Sequence, residues 1–199
     1  MKYICVVLLI FMTTSCHIVR QNLKISVVKE QLLDSLPSGS GTVYYHDSLI
    51  IIADDAPFIY KLSLSDLSYV SVPLQGYTAD SYRIPKPIKP DYECATAVTI
   101  EGKPFLLALG SGSKSPQRDT MLLAPLDDLS PQRTIYTGEL YRAMMQQTNT
   151  PMEQWNVEGL AMAGDELLIL NRGNNTVITI KWNAMLDFLE HGTLPKINS

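Results

Sequence analysis

Two glutamates stand at matching places in a repeated pattern. Asp91-Tyr92-Glu93-Cys94-Ala95 and Asn156-Val157-Glu158-Gly159-Leu160 each open an apolar run, and a third copy, Ser38-Gly39-Ser40-Gly41-Thr42, carries Ser40 at the glutamate position. The equivalent positions Ser40, Glu93 and Glu158 are 53 and 65 residues apart, enough for one four-stranded sheet unit with long connections in each interval. If the opening strands of such units line a common axis, Glu93 and Glu158 converge at one end of it. Converging carboxylates suit a hard cation such as Ca²⁺, which takes six to eight oxygens. They also suit an acid/base pair if burial raises one pKa. A third role is structural, each Glu capping backbone N–H groups of the neighbouring unit.

Other residues with chemical potential lie in the loops that follow the second strand of each unit. Asp54 and Asp55 precede Pro57, where paired Asp residues are ordinary turn formers. Arg118 and Arg172 fall in the corresponding loops of the other two units and could orient an anionic ligand. The stretch Gly110-Ser111-Gly112-Ser113-Lys114-Ser115 is not a P-loop: Ser113 stands where Gly must precede the lysine, and Pro116 blocks the following helix. Its N–H groups, with Lys114 and Arg118, retain the capacity to hold an anion, against the plainer reading of a hairpin loop. His17, His46 and His191 have no zinc-ligand spacing, and no Gly-x-Ser-x-Gly elbow is present. No catalytic constellation is expected.

The elements that must position these residues are strands. Val43-Tyr44-Tyr45 and Leu49 to Ile52 bracket the turn His46-Asp47-Ser48, and Phe58 to Leu64 alternates as a half-buried strand. The second unit repeats the plan with Ala95–Ile100, a turn at Glu101-Gly102 and Phe105–Leu109. The third does so with Leu160-Ala161-Met162, a turn at Gly164-Asp165 and Leu167–Leu170. Tyr82 to Pro90 holds three prolines at or near alternate positions, which exclude helix and central strand and predict an extended connector. Helices are expected over Glu139–Gln147 and from Trp182 to Leu189, the latter stopped by Gly192. The fold class is therefore all-β, a partial β-propeller of about three antiparallel blades (36–80, 91–137 and 155–190 within a domain 36–199) with short helices in the connections. Closed propellers carry about four to eight blades, so the ring is expected to be incomplete, or completed by a second chain.

At the N-terminus, Lys2, the apolar run Ile4–Met12 and Thr13-Thr14-Ser15 before Cys16 have the form of a bacterial lipoprotein signal over residues 1–15. On that reading Cys16 carries lipid, residues 16–35 form a tether and entry strand, and the chain sits on a membrane through its lipid. A periplasm-facing position in the cell envelope is the default. Loss of Lys2 leaves 15 basic against 20 acidic residues, a balance that argues against nucleic-acid binding. Cys94, with no remaining partner for a disulfide, is expected to be a buried, inert thiol.

Asp91-Tyr92-Glu93, Asn156-Val157-Glu158-Gly159-Leu160-Ala161, Gly110-Ser111-Gly112-Ser113 and Asn171-Arg172-Gly173-Asn174 together resemble a family of bacterial envelope propellers related to the esterase-like-phytase group. The resemblance covers about residues 36–190. It implies a propeller whose blade-opening glutamates point toward the central channel, and it brings no assigned chemistry. Ser40 departs from the pattern and leaves the carboxylate ring incomplete. The expected function is a binding surface for a small ligand, a glycan or a protein on an envelope lipoprotein. The alternative is a Ca-assisted phosphoester or ester hydrolase.

Overall fold

The computed structural model describes residues 26–27, 30, 32–33, 36–77 and 82–199. The expected leader and Cys16 lie outside the described residues. The chain divides into two units, Met1–Leu33 and Asp34–Ser199. The described residues of the first unit belong to no strand or helix.

The second unit is all-β and consists of three four-stranded antiparallel sheets, each a simple meander. The first holds β1 (Gly39–Tyr45), β2 (Ser48–Ala53), β3 (Phe58–Ser63) and β4 (Tyr69–Pro73). The second holds β5 (Tyr92–Ile100), β6 (Lys103–Gly110), β7 (Thr120–Pro125) and β8 (Arg133–Tyr136). In the third are β9 (Val157–Ala163), β10 (Glu166–Asn171), β11 (Thr176–Lys181) and β12 (Ile197–Asn198). The opening strands are neighbours across sheets, β1 packing on β5 and β5 on β9. This is a partial propeller, and the described residues form no closed barrel.

Local sequence explains the hairpins. His46 and Asp47 adopt φ of 44° and 55°, and Glu101 and Gly102 adopt 49° and 76°. Two successive left-handed residues give the two-residue turn whose twist matches antiparallel strands. Among the described residues the two α-helices, α1 (Gly138–Gln147) and α2 (Trp182–His191), lie where their periodicity places them. Gly192 ends α2 in the left-handed conformation, φ 75°, its N–H donating to the Phe188 carbonyl. The chain then returns to the third sheet as β12, so that sheet's outer edge lies beyond α2.

Two apolar layers hold the sheets together. Val43, Ile50, Ile52 and Ile59 of the first sheet face Leu106, Ala108, Leu122 and Ala124 of the second. On the second sheet's other side, Leu107, Leu109, Met121 and Leu123 meet Leu167, Ile169, Ile178 and Ile180. Leu140, Tyr141 and Met144 of α1, with Met185 and Phe188 of α2, complete that layer. The middle sheet is thus covered on both faces, which is why Leu106–Leu109 and Met121–Ala124 are unbroken apolar runs rather than alternating ones.

Candidate functional site

The repeat seen in the sequence has a precise structural counterpart in three β-bulges. On β1 the register jumps between Gly39 and Gly41, leaving Ser40 as the extra residue. On β5 it jumps between Tyr92 and Cys94, leaving Glu93. On β9, Val157 pairs with Asn171 and Gly159 with Leu170, leaving Glu158. A bulged residue leaves the ladder's alternation and its side chain is re-aimed. The same device therefore sets Ser40, Glu93 and Glu158 apart at the same end of three neighbouring strands.

Around Glu93 the charges are mostly committed to one another. Lys89 places Nζ 2.6 Å from Asp54 Oδ2 and 2.5 Å from Asp91 Oδ1. Arg118 Nη1 lies 2.7 Å from Asp91 Oδ2, to which the Ser111 hydroxyl also donates at 2.6 Å. Arg118 further donates to Ser113 Oγ at 2.7 Å. Asp55 pairs with Arg83 at 2.7 Å. Arg172 and the Asn156 carboxamide both donate to Glu158 Oε1, at 2.7 and 2.8 Å. Asp91 is the deepest of these groups, 3% exposed, and its three donors satisfy it.

Glu93 alone among these carboxylates has no hydrogen bond or ion pair among the described residues. It is half-buried, and its pKa is pushed up to about 7. Burial is the largest cause, followed by the charges of Asp91, Asp54 and Glu158, with Lys89 acting in the opposite direction. Lys89 itself titrates above its usual value: burial disfavours its ammonium, and the hydrogen bonds from it to Asp54 and Asp91 outweigh that cost.

Oxygens of Asp54, Asp91 and Glu93 come within 4.8 Å of one another, a spacing that a cation could bridge. The Lys89 ammonium already neutralises two of the three. A metal ion there must displace it or share its carboxylates against its charge. Asp54 Oδ1 is buried without a hydrogen-bond partner, so the cluster keeps one unused acceptor.

The candidate residues thus fall into two linked groups. Asp54, Asp55, Arg118 and Glu93 gather where the first and second sheets meet, and Glu158 with Arg172 sits at the start of the third. Glu158 acts on Glu93 through its charge. Asp54 and Asp55 are more than turn formers, since each holds a cation from the 82–90 connector.

That connector is not extended throughout. Ile88 and Lys89 both donate their N–H to the Pro85 carbonyl, a turn that brings Lys89 back over Asp54. The prolines exclude strand and helix, as the sequence indicates, but Pro at the start of a turn is favourable rather than merely tolerated. Lys89 and Asp91 are the site residues that sequence reasoning missed. The signal available was Asp91 lying two residues before Glu93 in the repeat, with a lysine two residues earlier.

Cys94, next to Glu93, points into the core between the second and third sheets, 4% exposed. Burial pushes its thiol up to about 12.

No curated protein matches this sequence. A family described as "Family of unknown function (DUF6929)" matches residues 35–199, the span that contains all three sheets and the whole charged cluster. The chain belongs to the DUF6929 family.

Proposed function

We propose that this chain is a cell-envelope lipoprotein whose propeller rim binds a small ligand, a glycan or a protein at the end of the channel marked by Glu93. The observation that carries this reading is the isolation of Glu93. Every neighbouring carboxylate has its own donor, whereas Glu93 is half-buried, accessible and unpaired among the described residues. Near neutral pH its carboxyl both donates and accepts, which suits hydroxyl and amide groups of a ligand. Lys89, Arg118 and Arg172 are spent on Asp54, Asp91 and Glu158, so the site as a whole is close to charge-balanced and favours polar over strongly ionic ligands.

Membrane attachment rests on Thr13-Thr14-Ser15-Cys16 after the apolar run, with a lipid on Cys16 and a periplasm-facing default. Labelling with a fatty-acid analogue, lost in Cys16→Ser, supports it; equal labelling of both proteins rules it out.

Ligand binding is tested by screening soluble oligosaccharides and peptides by thermal shift against wild type and Glu93→Ala. Stabilisation of the wild type that disappears in Glu93→Ala supports the site. Hits that stabilise both proteins equally place binding elsewhere.

A second reading is a Ca-assisted phosphoester or ester hydrolase. It is favoured by the spacing of Asp54, Asp91 and Glu93, and by a carboxyl titrating near neutrality, where a general acid or base works best. Turnover of a nitrophenyl phosphate or ester that requires Ca²⁺ and is lost in Glu93→Gln would establish it.

A further inference from the structure

An amine and three carboxyl groups meet where the first and second sheets join, and together they have the parts for more than an ion pair. Lys89 Nζ stands 2.6 Å from Asp54 Oδ2 and 2.5 Å from Asp91 Oδ1. Oxygens of Asp54, Asp91 and Glu93 lie within 4.8 Å of one another, so Glu93 stands beside both acids that the ammonium touches. The lysine is held there by its backbone. Its N–H donates to the Pro85 carbonyl, and the Ile84 N–H donates to the Asp55 carbonyl at 2.6 Å, next to Asp54 in the chain. Pro90, directly after it, is buried.

Groups fixed in contact react as one molecule, with effective concentrations that reach about 10⁵–10⁸ M in well-oriented cases. A condensation that free amines and acids do not complete in dilute water becomes accessible on those terms. We infer that Lys89 and Asp54 condense to an isopeptide bond, with Asp91 as base and Glu93 as proton relay.

The step balances without any co-reactant. Proton transfer along the 2.6 Å contact turns ammonium and carboxylate into a neutral amine and a neutral acid. Nζ then attacks Cγ of Asp54 and gives a second proton to Asp91. That proton passes through Glu93 to the departing hydroxyl, the Cγ–O bond breaks, and one water leaves. The third proton stays on the amide nitrogen, and Asp91 and Glu93 end as they began. Lys89 keeps its proton firmly in the resting cluster, so the event is slow and happens once per chain.

The surroundings select Asp54 over Asp91. Asp91 also accepts from Arg118 at 2.7 Å and from the Ser111 hydroxyl at 2.6 Å, so it stays satisfied when Lys89 is consumed. Asp54 has Lys89 as its one partner among the described residues, and its Oδ1 is buried without a donor. Acylation at Asp91 would strand that carboxylate, whereas acylation at Asp54 leaves no buried charge unpaired. The bond joins residues 35 apart and ties the first sheet to the connector before β5, which restricts the unfolded chain.

The test is peptide mapping by mass spectrometry of the full chain, before and after prolonged incubation at neutral pH. The expected result is a chain lighter than its sequence by one water, with tryptic peptides 30–61 and 84–114 joined through Asp54 and Lys89. Lys89→Arg keeps the charge and should give the two peptides separately. Glu93→Gln, folded by circular dichroism, should convert about a hundredfold more slowly or less. Separate, unshifted peptides in the incubated wild type overturn the inference. So does water lost within one peptide alone, which marks a succinimide or a Lys89–Asp91 bond. Conversion of Glu93→Gln at the wild-type rate overturns the relay. The bond stands apart from ligand binding: a chain that binds through Glu93 but shows no joined peptides overturns the bond and leaves the binding site intact.

Discussion

Lys89 and Asp91 lie 2.5 Å apart, and the same ammonium reaches Asp54 at 2.6 Å, so one side chain ties the loop after β2 to the start of β5. All three groups are largely withdrawn from solvent, with side-chain exposures of 13%, 5% and 19% for Lys89, Asp91 and Asp54. Removing the cation leaves two buried carboxylates facing each other. Lys89→Ala is therefore expected to cost about 2–4 kcal/mol of stability, measured by urea unfolding. It should also raise the Glu93 pKa further, because Lys89 is the one charge holding it down. A loss under about 0.5 kcal/mol would mean that the tie is a surface pair in effect.

Glu93 makes stability depend on pH in a direction opposite to that of a salt-bridged acid. Its folded pKa is raised from 4.5 to about 7, so between those values the folded chain binds more protons than the unfolded one. Its contribution is present in full below about 4.5 and is lost as pH rises through about 7. Glu93→Gln removes that loss. At pH 8 the variant should be more stable than wild type by on the order of 1 kcal/mol, after allowing for the group's half exposure. At pH 5 the two should melt together. Melting curves across this range decide it; equal melting temperatures at both pH values contradict a neutral-range titration at this position.

Gly41 tests the close approach of the opening strands. Its missing Cβ would fall 2.8 Å from Ala95 N and Ile52 Cγ2, and 2.9 Å from Ala95 Cβ. A backbone neighbour cannot rotate away, so Gly41→Ala should destabilise by about 1–3 kcal/mol. Gly102→Ala offers a contrast: it has open space around it but φ of 76°, so its cost is conformational and should stay near 1 kcal/mol. Chemical denaturation of the pair separates the two causes.

The reading of strands from apolar runs carried most of the fold. Leu49 to Ala53 and Phe105 to Leu109 could be placed because a sheet covered on both faces needs no alternation, and Glu139–Gln147 because its apolar residues recur at helical spacing. The equivalence of Ser40, Glu93 and Glu158 was legible from flanking residues, and the bulges give it a physical basis. What stayed hidden was partnership. Lys89 and Asp54 are 35 residues apart and meet only because a turn at Pro85 reverses the connector. Nothing in local composition distinguishes that lysine from Lys86, which is exposed. Asp91 was visible as part of a motif, but its burial under three donors follows from the packing of loops that are distant in sequence.

Cys94 separates a packing role from a chemical one. It follows the bulged Glu93 directly, so moving the bulge one residue along β5 would turn the thiol to the rim and the carboxyl to the core. In the folded chain the thiol is 4% exposed and pushed up to about 12, so it carries almost no thiolate at neutral pH. Mass mapping after treatment with a maleimide should find Cys94 unmodified in the native protein and fully modified in denaturant. Deleting Glu93 should leave Cys94 unmodified under native conditions, because Tyr92 already pairs with Gly110 and Cys94 with Leu109, so the ladder closes without the extra residue. Rapid labelling of Cys94 in the native wild type would show that β5 opens from the core, and the assignment of Glu93 to the rim would fall with it.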